Sequence, residues 1–171
     1  MMEEQVILVN EEDQFIGTMG KLEAHEKGLL HRAISIMIKN SKGEILIQQR
    51  AMSKYHWAGI WSNSVCSHPR INETYSEAAI RRLKEELGFE VPLKKEFHFI
   101  YKAHDAQSGL IEHEYDTVFT GVYDGPININ KAEVENSAWI TEQALELDIE
   151  QNPEKYSFWF KIILEELKKR S

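Results

Sequence analysis

The run Glu112-His113-Glu114-Tyr115-Asp116 places three carboxylates at alternate positions. In a strand, alternate side chains share a face, so Glu112, Glu114 and Asp116 would point the same way. Like charges side by side repel. The run is therefore either a solvated edge or a place where a cation offsets the repulsion. Three histidines elsewhere, His25, His31 and His68, supply nitrogen donors, and imidazole combined with carboxylate suits a divalent ion. No local ligand motif ties these residues together. Taken alone, each histidine reads equally as a surface or capping residue.

A second chemistry resides in Ser64-Val65-Cys66-Ser67-His68-Pro69. A lone cysteine is by default a small hydrophobe. Here it lies two residues from a histidine in a polar segment flanked by aromatics. If that segment is extended, Cys66 and His68 share a side, and a nearby cation could tune the thiol for proton transfer or nucleophilic attack. A third feature is Glu73 followed by Arg81-Arg82-Leu83-Lys84-Glu85-Glu86-Leu87-Gly88. Glu86 follows Arg82 by one helical turn, which makes them surface neighbours. The pair is either a plain helical ion pair or a carboxylate bordering a cleft. The last feature is cationic: Lys21, Arg50, Lys54 and Arg82 could grip an anion. Gly17-Thr18-Met19-Gly20-Lys21 lacks the spacing of a phosphate loop.

These groups need elements to hold them. Val6–Val9, a polar turn at Asn10–Asp13 and Phe15-Ile16 read as a hairpin. Ala33–Lys39 turns through Asn40-Ser41-Lys42-Gly43 into Glu44–Gln49, the clearest hairpin of the chain. Residues 51–75 show no clean period but concentrate tryptophan, cysteine and histidine, which points to a functional loop. Thr74 and Glu77 form a capping box that opens a helix through Leu87, with Gly88 as its stop and Ile80, Leu83 and Leu87 as its apolar stripe. Phe97–Lys102, Glu112–Tyr123 and Ser137–Ile140 read as strands. Thr141–Glu150 and Pro153–Lys169 read as helices, the latter with Asn152 as N-cap. Strands in the middle, with helices inserted and appended, predict an α+β fold, an α/β/α sandwich over residues 1–171 as a single domain.

Composition narrows the partners. Aspartate and glutamate outnumber lysine and arginine 28 to 20, for a net charge of −8. That balance excludes a general nucleic-acid binder, whose affinity comes from neutralising phosphates, but not a small anion held by a few local cations. One cysteine forbids an intrachain disulfide, so nothing demands an oxidising compartment. The N-terminus does not read as a signal peptide. No run approaches the ~20 apolar residues that span a bilayer, and the expectation is a cytoplasmic protein with no membrane partner.

The stretch from Glu73 to Phe89 resembles the Nudix box, G-x5-E-x7-R-E-U-x-E-E-x-G-U, where U is a bulky apolar residue. Glu73, Arg81, Leu83, Glu85, Glu86, Gly88 and Phe89 fit it. Ser67 stands at the first glycine, and Arg82 replaces the glutamate after the arginine, a carboxylate that normally helps hold catalytic metals. The longer run Trp57-Ala58-Gly59-Ile60-Trp61-Ser62-Asn63-Ser64-Val65-Cys66-Ser67-His68-Pro69 is similar to that of type I isopentenyl-diphosphate isomerases. Ala24-His25, Leu30-His31-Arg32-Ala33, Arg50–Lys54 and Gly109–Glu114 extend the resemblance over nearly the whole chain.

The resemblance implies a Nudix-type mixed β-sheet flanked by helices, and reversible isomerisation of isopentenyl to dimethylallyl diphosphate without a flavin. It implies that His25, His31, His68, Glu112 and Glu114 bind one divalent metal, typically Mn²⁺ or Mg²⁺, with zinc as an alternative. Cys66 and Glu114 would be the catalytic pair on opposite faces of the substrate. Glu86 would help hold a second Mg²⁺ on the diphosphate, and Lys21, Arg50, Lys54 and Arg82 would grip its oxygens. Tyr101 would hydrogen-bond the catalytic carboxylate, and Trp159 would lie over the substrate unless it is simply a core aromatic. Two rival classes remain: a Nudix pyrophosphohydrolase acting on a nucleoside diphosphate derivative, and a noncatalytic metal-binding module.

Overall fold

The computed structural model describes residues 4–54 and 56–170. Its organising element is the strand β3 (His31–Lys39). Along one side β3 runs parallel to β8 (Ile111–Val122), in a register that sets His31 beside Glu114 and Ser35 beside Val118. Along its other side three strands succeed one another, all antiparallel. β1 (Gln5–Val9) meets His31, β6 (Val65–Ser67) pairs with Ile34–Ile36, and β4 (Ile45–Arg50) pairs with Ile38 and Lys39. The sheet is completed by β2 (Phe15–Gly20) on β1, β5 (Trp61–Ser62) and β9 (Val134–Ile140) on β4, and β7 (Lys94–His104) on β8.

Helices cover both faces, as the sandwich expectation requires. On one face α2 (Tyr75–Leu87) packs Ala78, Ala79, Leu83 and Leu87 against Ile34, Ile36, Ile38 and Phe119. On the other, α3 (Glu142–Gln151) and α4 (Phe158–Arg170) bring Leu145, Trp159, Phe160 and Ile163 onto Met37, Ile45, Ile47 and Val118. The alternation of β3 and β8 divides these sets, because successive residues serve opposite faces.

The capping box at Thr74 and Glu77 is present, and Gly88 ends the helix at φ 79°, where a Cβ would lie 2.9 Å from Asn128 Cβ. The expected stripe is corrected at one position. Ile80 is 44% exposed, and the buried face runs instead through Ala79, Leu83, Glu86 and Leu87, since two alanines let the helix approach the sheet closely. The predicted hairpin at 33–49 holds for only two residue pairs before β6 intervenes. The last predicted helix is also corrected. A 3₁₀ turn, Pro153–Lys155, is followed by Tyr156 and Ser157 outside any helix, and Asn152 caps no helix N-terminus: its side chain donates to Asp148. Two short pieces were not foreseen: α1 (Lys21–Lys27), bounded by Gly20 and the left-handed Gly28, and the strand pair β5 and β6 inside the loop at 51–75.

Candidate active site

β8 is an interior strand, with β3 on one side and β7 on the other. Glu112, Glu114 and Asp116 are accordingly 5%, 5% and 1% exposed, so the solvated-edge reading fails. On the same face β3 presents His31 and Ser35, and Ser35 Oγ donates to Asp116 Oδ2 at 2.7 Å. The polar end of this face thus continues the α3–α4 core in the same two strands.

Four elements converge on Glu112 and Glu114. His31 Nε2 lies 3.2 Å and His68 Nε2 2.9 Å from Glu114 Oε2, while Tyr101 Oη donates to Glu114 Oε1 at 2.6 Å. His25, on α1, has Nε2 3.8 Å from Glu112 Oε1. Donor atoms of His25, His31, His68 and Glu114 all lie within 4.8 Å of one another.

The tautomers show what belongs between these groups. His25 Nδ1 lies 2.7 Å from the Lys21 carbonyl and His31 Nδ1 2.9 Å from the Leu29 carbonyl. A carbonyl only accepts, so each Nδ1 carries hydrogen and each neutral ring turns an Nε2 lone pair toward a carboxylate. Lone pair against carboxylate is repulsive unless a proton or a metal ion lies between them. A backbone carbonyl on Nδ1 is also the usual way of fixing a metal-ligating imidazole. Glu112 Oε2, buried, has no hydrogen-bond partner among the described residues. The donor set fits a divalent ion.

The ionisations reflect the crowding. Burial and then the Lys21 ammonium hold the His68 imidazole well below its usual range. Burial also lowers His31, but the hydrogen bond and charge of Glu114 outweigh it and raise that group. Burial, reinforced by the Glu114 charge, pushes Asp116 well above the usual carboxylate range. Burial would raise Glu114 too, yet hydrogen bonds from His31 and Tyr101 hold it down.

Cys66 is pushed up to about 12 by burial and by the Asp116 charge, so it is a thiol, not a thiolate. Its Sγ donates to Asn63 Oδ1 at 2.9 Å and accepts from Trp159 Nε1 at 2.9 Å. Trp159 belongs to the core, one of the two readings the sequence left open. It is 2% exposed within the α4 core, and it also lines the cavity onto which Cys66, His68, Glu112 and Glu114 face. The space enclosed there is about 50 Å³, room for a few water-sized groups.

Lys21, Arg50, Lys54 and Arg82 all line the same cavity, as the sequence grouping anticipated. Arg82 is engaged with Glu85 at 2.9 Å, Glu86 at 2.9 Å and Glu133 at 3.3 Å. Lys54 also pairs with Glu133, a residue sequence reasoning missed. Nothing distinguishes it there from the other acids of the polar run at 130–136. Glu86 is not brought to the histidine cluster. It is buried under α2, where Arg82 and Gln48 Nε2 occupy both of its oxygens. Of the remaining box carboxylates, Glu73 is clamped by Arg81 at 2.7 and 2.9 Å, and Glu85 binds both arginines. Sequence reasoning also missed His56, 3% exposed, whose Nε2 lies 3.6 Å from Glu112 Oε1. Its place in the tryptophan- and histidine-rich loop was the available signal.

The NUDIX domain family matches residues 29–160 of the chain. An isopentenyl-diphosphate Delta-isomerase 2 of Aromatoleum aromaticum is 48% identical over 164 residues, covering 96% of this chain and 86% of that one. Its namesake from Photorhabdus laumondii is 47% identical, with 95% and 92% covered. Among solved structures, a Deinococcus radiodurans protein superposes with TM-score 0.72 at 24% identity, over 87% and 90% of the two chains. The MutT protein of Methanosarcina mazei superposes with TM-score 0.68 at 17% identity, over 82% and 94%. These two likenesses concern the fold.

Proposed function

The chain belongs to the isopentenyl-diphosphate Delta-isomerases of the NUDIX domain family, and from that premise we propose how its own residues convert isopentenyl diphosphate to dimethylallyl diphosphate, a step of isoprenoid biosynthesis. The reaction adds a proton to the terminal alkene carbon, forming a C–H bond and leaving a tertiary cation. Loss of a proton from the carbon on the other side of the cationic centre forms the new double bond. One proton enters and one leaves, so no oxidant or reductant is needed.

The reading rests on one observation: a thiol hydrogen-bonded to Asn63 and a carboxylate hydrogen-bonded by Tyr101 face a single cavity whose other lining groups include four cations. Cys66 holds a proton on one side. Glu114, with the Tyr101 hydroxyl on its Oε1, exchanges one on the other. Trp159 orients the thiol through Nε1 and offers its ring to the cation, which aromatic faces stabilise. Lys21, Arg50, Lys54 and Arg82 bind the diphosphate, and Arg82 does so by giving up Glu86 and Glu133. His25, His31, His68, Glu112 and Glu114 would hold Mn²⁺ or Mg²⁺, with zinc as an alternative, and the ion would supply the positive charge that lets two carboxylates share a buried site. Glu86 would be the residue to hold a second Mg²⁺ beside the diphosphate, which would neutralise phosphate charge. The location that suits this chemistry is the cytoplasm, where a thiol stays reduced.

The pyrophosphohydrolase alternative is less favoured because Glu73 and Glu85 are saturated by arginines and Arg82 stands where a carboxylate would be needed. The deciding experiment incubates the protein with isopentenyl diphosphate and Mg²⁺ and follows rearranged alkene and released phosphate in one mixture. The expected result is dimethylallyl product without phosphate, and a loss of about 10²–10⁴-fold in rate for Cys66→Ala with its fold intact. Phosphate release without rearranged alkene, or a near-normal rate for Cys66→Ala, overturns the reading.

A further inference from the structure

The loop that carries Arg50 and Lys54 to the cavity also delivers a fourth imidazole. The ring centroid of His56 lies 4.7 Å from that of His25, and one donor atom each of His25, His56 and Glu112 falls within 4.8 Å of the others. His25 belongs to this group and to the group of His31, His68 and Glu114. Its Nδ1 is committed to the Lys21 carbonyl, which leaves Nε2 as its sole ligating nitrogen. One lone pair serves one ion, so the two groups are halves of a single site. We propose that His56 is a ligand of the same divalent ion, completing a set of four imidazoles and two carboxylates.

Three observations support this, on the reading above that the cluster holds a divalent ion. First, the spacing is that of co-ligands. His56 Nε2 and His25 Nε2 lie 3.6 and 3.8 Å from Glu112 Oε1, too far for good hydrogen bonds. Two donors each about 2.1 Å from one ion sit roughly 3.0–3.5 Å apart, so a shift of a few tenths of an ångström brings His25 and His56 to co-ligand spacing from Glu112 Oε1. Second, the arrangement repeats itself. Glu112 Oε1 stands between His25 and His56 just as Glu114 Oε2 stands between His31 and His68. Third, the loop is braced to hold this ring. Arg50 donates to the His56 carbonyl at 3.3 Å and to the Trp57 carbonyl at 3.2 Å, and Trp57 N donates to Asp105 Oδ2 at 3.1 Å. Trp57 takes φ 49°, a conformation unusual for a bulky residue.

Six protein donors rich in imidazole shift preference from Mg²⁺ toward zinc, cobalt or nickel. The test strips the protein of metal and titrates the parent, His56→Gln and His56→Ala with Zn²⁺ and Co²⁺ against a chelating dye. Circular dichroism verifies the fold of each. The expected result is one high-affinity ion per chain, bound 10–100-fold more weakly by both variants. The visible Co²⁺ bands should intensify in the variants as the coordination number falls, which a purely structural histidine would not cause. X-ray absorption of the zinc-loaded parent, which needs no variant, should count four imidazoles. Three imidazoles in the parent, or variants with the parent's affinity and spectrum, would each overturn the proposal. A parent that takes up no ion overturns the metal reading itself, and His25→Ala, without effect in that case, separates the two failures.

Discussion

Tyr101 touches Glu114, the carboxylate proposed to exchange the proton, without belonging to the proposed metal donors, which makes it the sharpest single-residue probe. Removing its hydroxyl leaves Glu114 Oε1 without its 2.6 Å donor and spares the imidazoles on Oε2. Tyr101→Phe should lower the rate by about 10–100-fold. Metal content by plasma emission should stay at the parent's value, and a parallel loss of metal would place Tyr101 in the wrong role. At this scale the sequence was informative where a residue type is costly to place. Alternate carboxylates, lone Cys66 and the box glutamates all stood out by chemistry. Glu133 did not, because nothing local distinguishes a buried glutamate from a solvated one, and His56 offered only its place in a loop rich in tryptophan and histidine. Only the convergence of distant segments makes Glu133 a partner of Lys54 and Arg82.

Helix α2 shows where reading by element succeeds and where it slips. Its ends were legible because Thr74, Glu77 and Gly88 act on their immediate neighbours. Its buried face was misread by one position, since Ala79 is buried and Ile80 is not. Hydrophobicity alone favours isoleucine over alanine, but the distance between helix and sheet decides which side chain fits. Leu83→Ala should therefore cost about 2–5 kcal/mol in denaturant melts. Ile80→Ala should stay within about 0.5 kcal/mol, as surface changes do. Equal costs would restore the original stripe. The junction of α3 and α4 supplies a test in pH. Asp148 is held down to about 2 by hydrogen bonds from Lys155, Tyr156 and Asn152. Its folded value lies below its ordinary 3.8, so its contribution is present above that value and fades as pH falls toward about 2. Asp148→Asn should lower Tm at pH 6, and the gap from the parent should narrow steadily on acidification below pH 4. A gap that does not depend on pH would sink this account.

For the molecule as a whole, the layered arrangement followed from the order of strands and helices, whereas the sheet topology did not. Local hairpins were visible, but the pairing of β3 with β6 and β8 joins segments that share no local signal. Chelation should abolish isomerisation, and Mn²⁺ or Mg²⁺ should restore it. Saturating metal, about 100-fold above its dissociation constant, should stabilise the folded chain by about 2.7 kcal/mol. An unchanged melt with and without metal would contradict a buried ion. The parallel pairing of β3 with β8 has a consequence for how the protein comes into being. His31 and Glu114 are 83 residues apart, and no hairpin turn can bring parallel strands together. That loop must close at an entropic cost before any of its contacts repay it. The imidazoles and carboxylates meet only once that loop has closed. A nascent chain emerging from the ribosome with its first hundred residues therefore carries the histidines but neither carboxylate, so the proposed ion could be held by the full donor set only after β8 has been made.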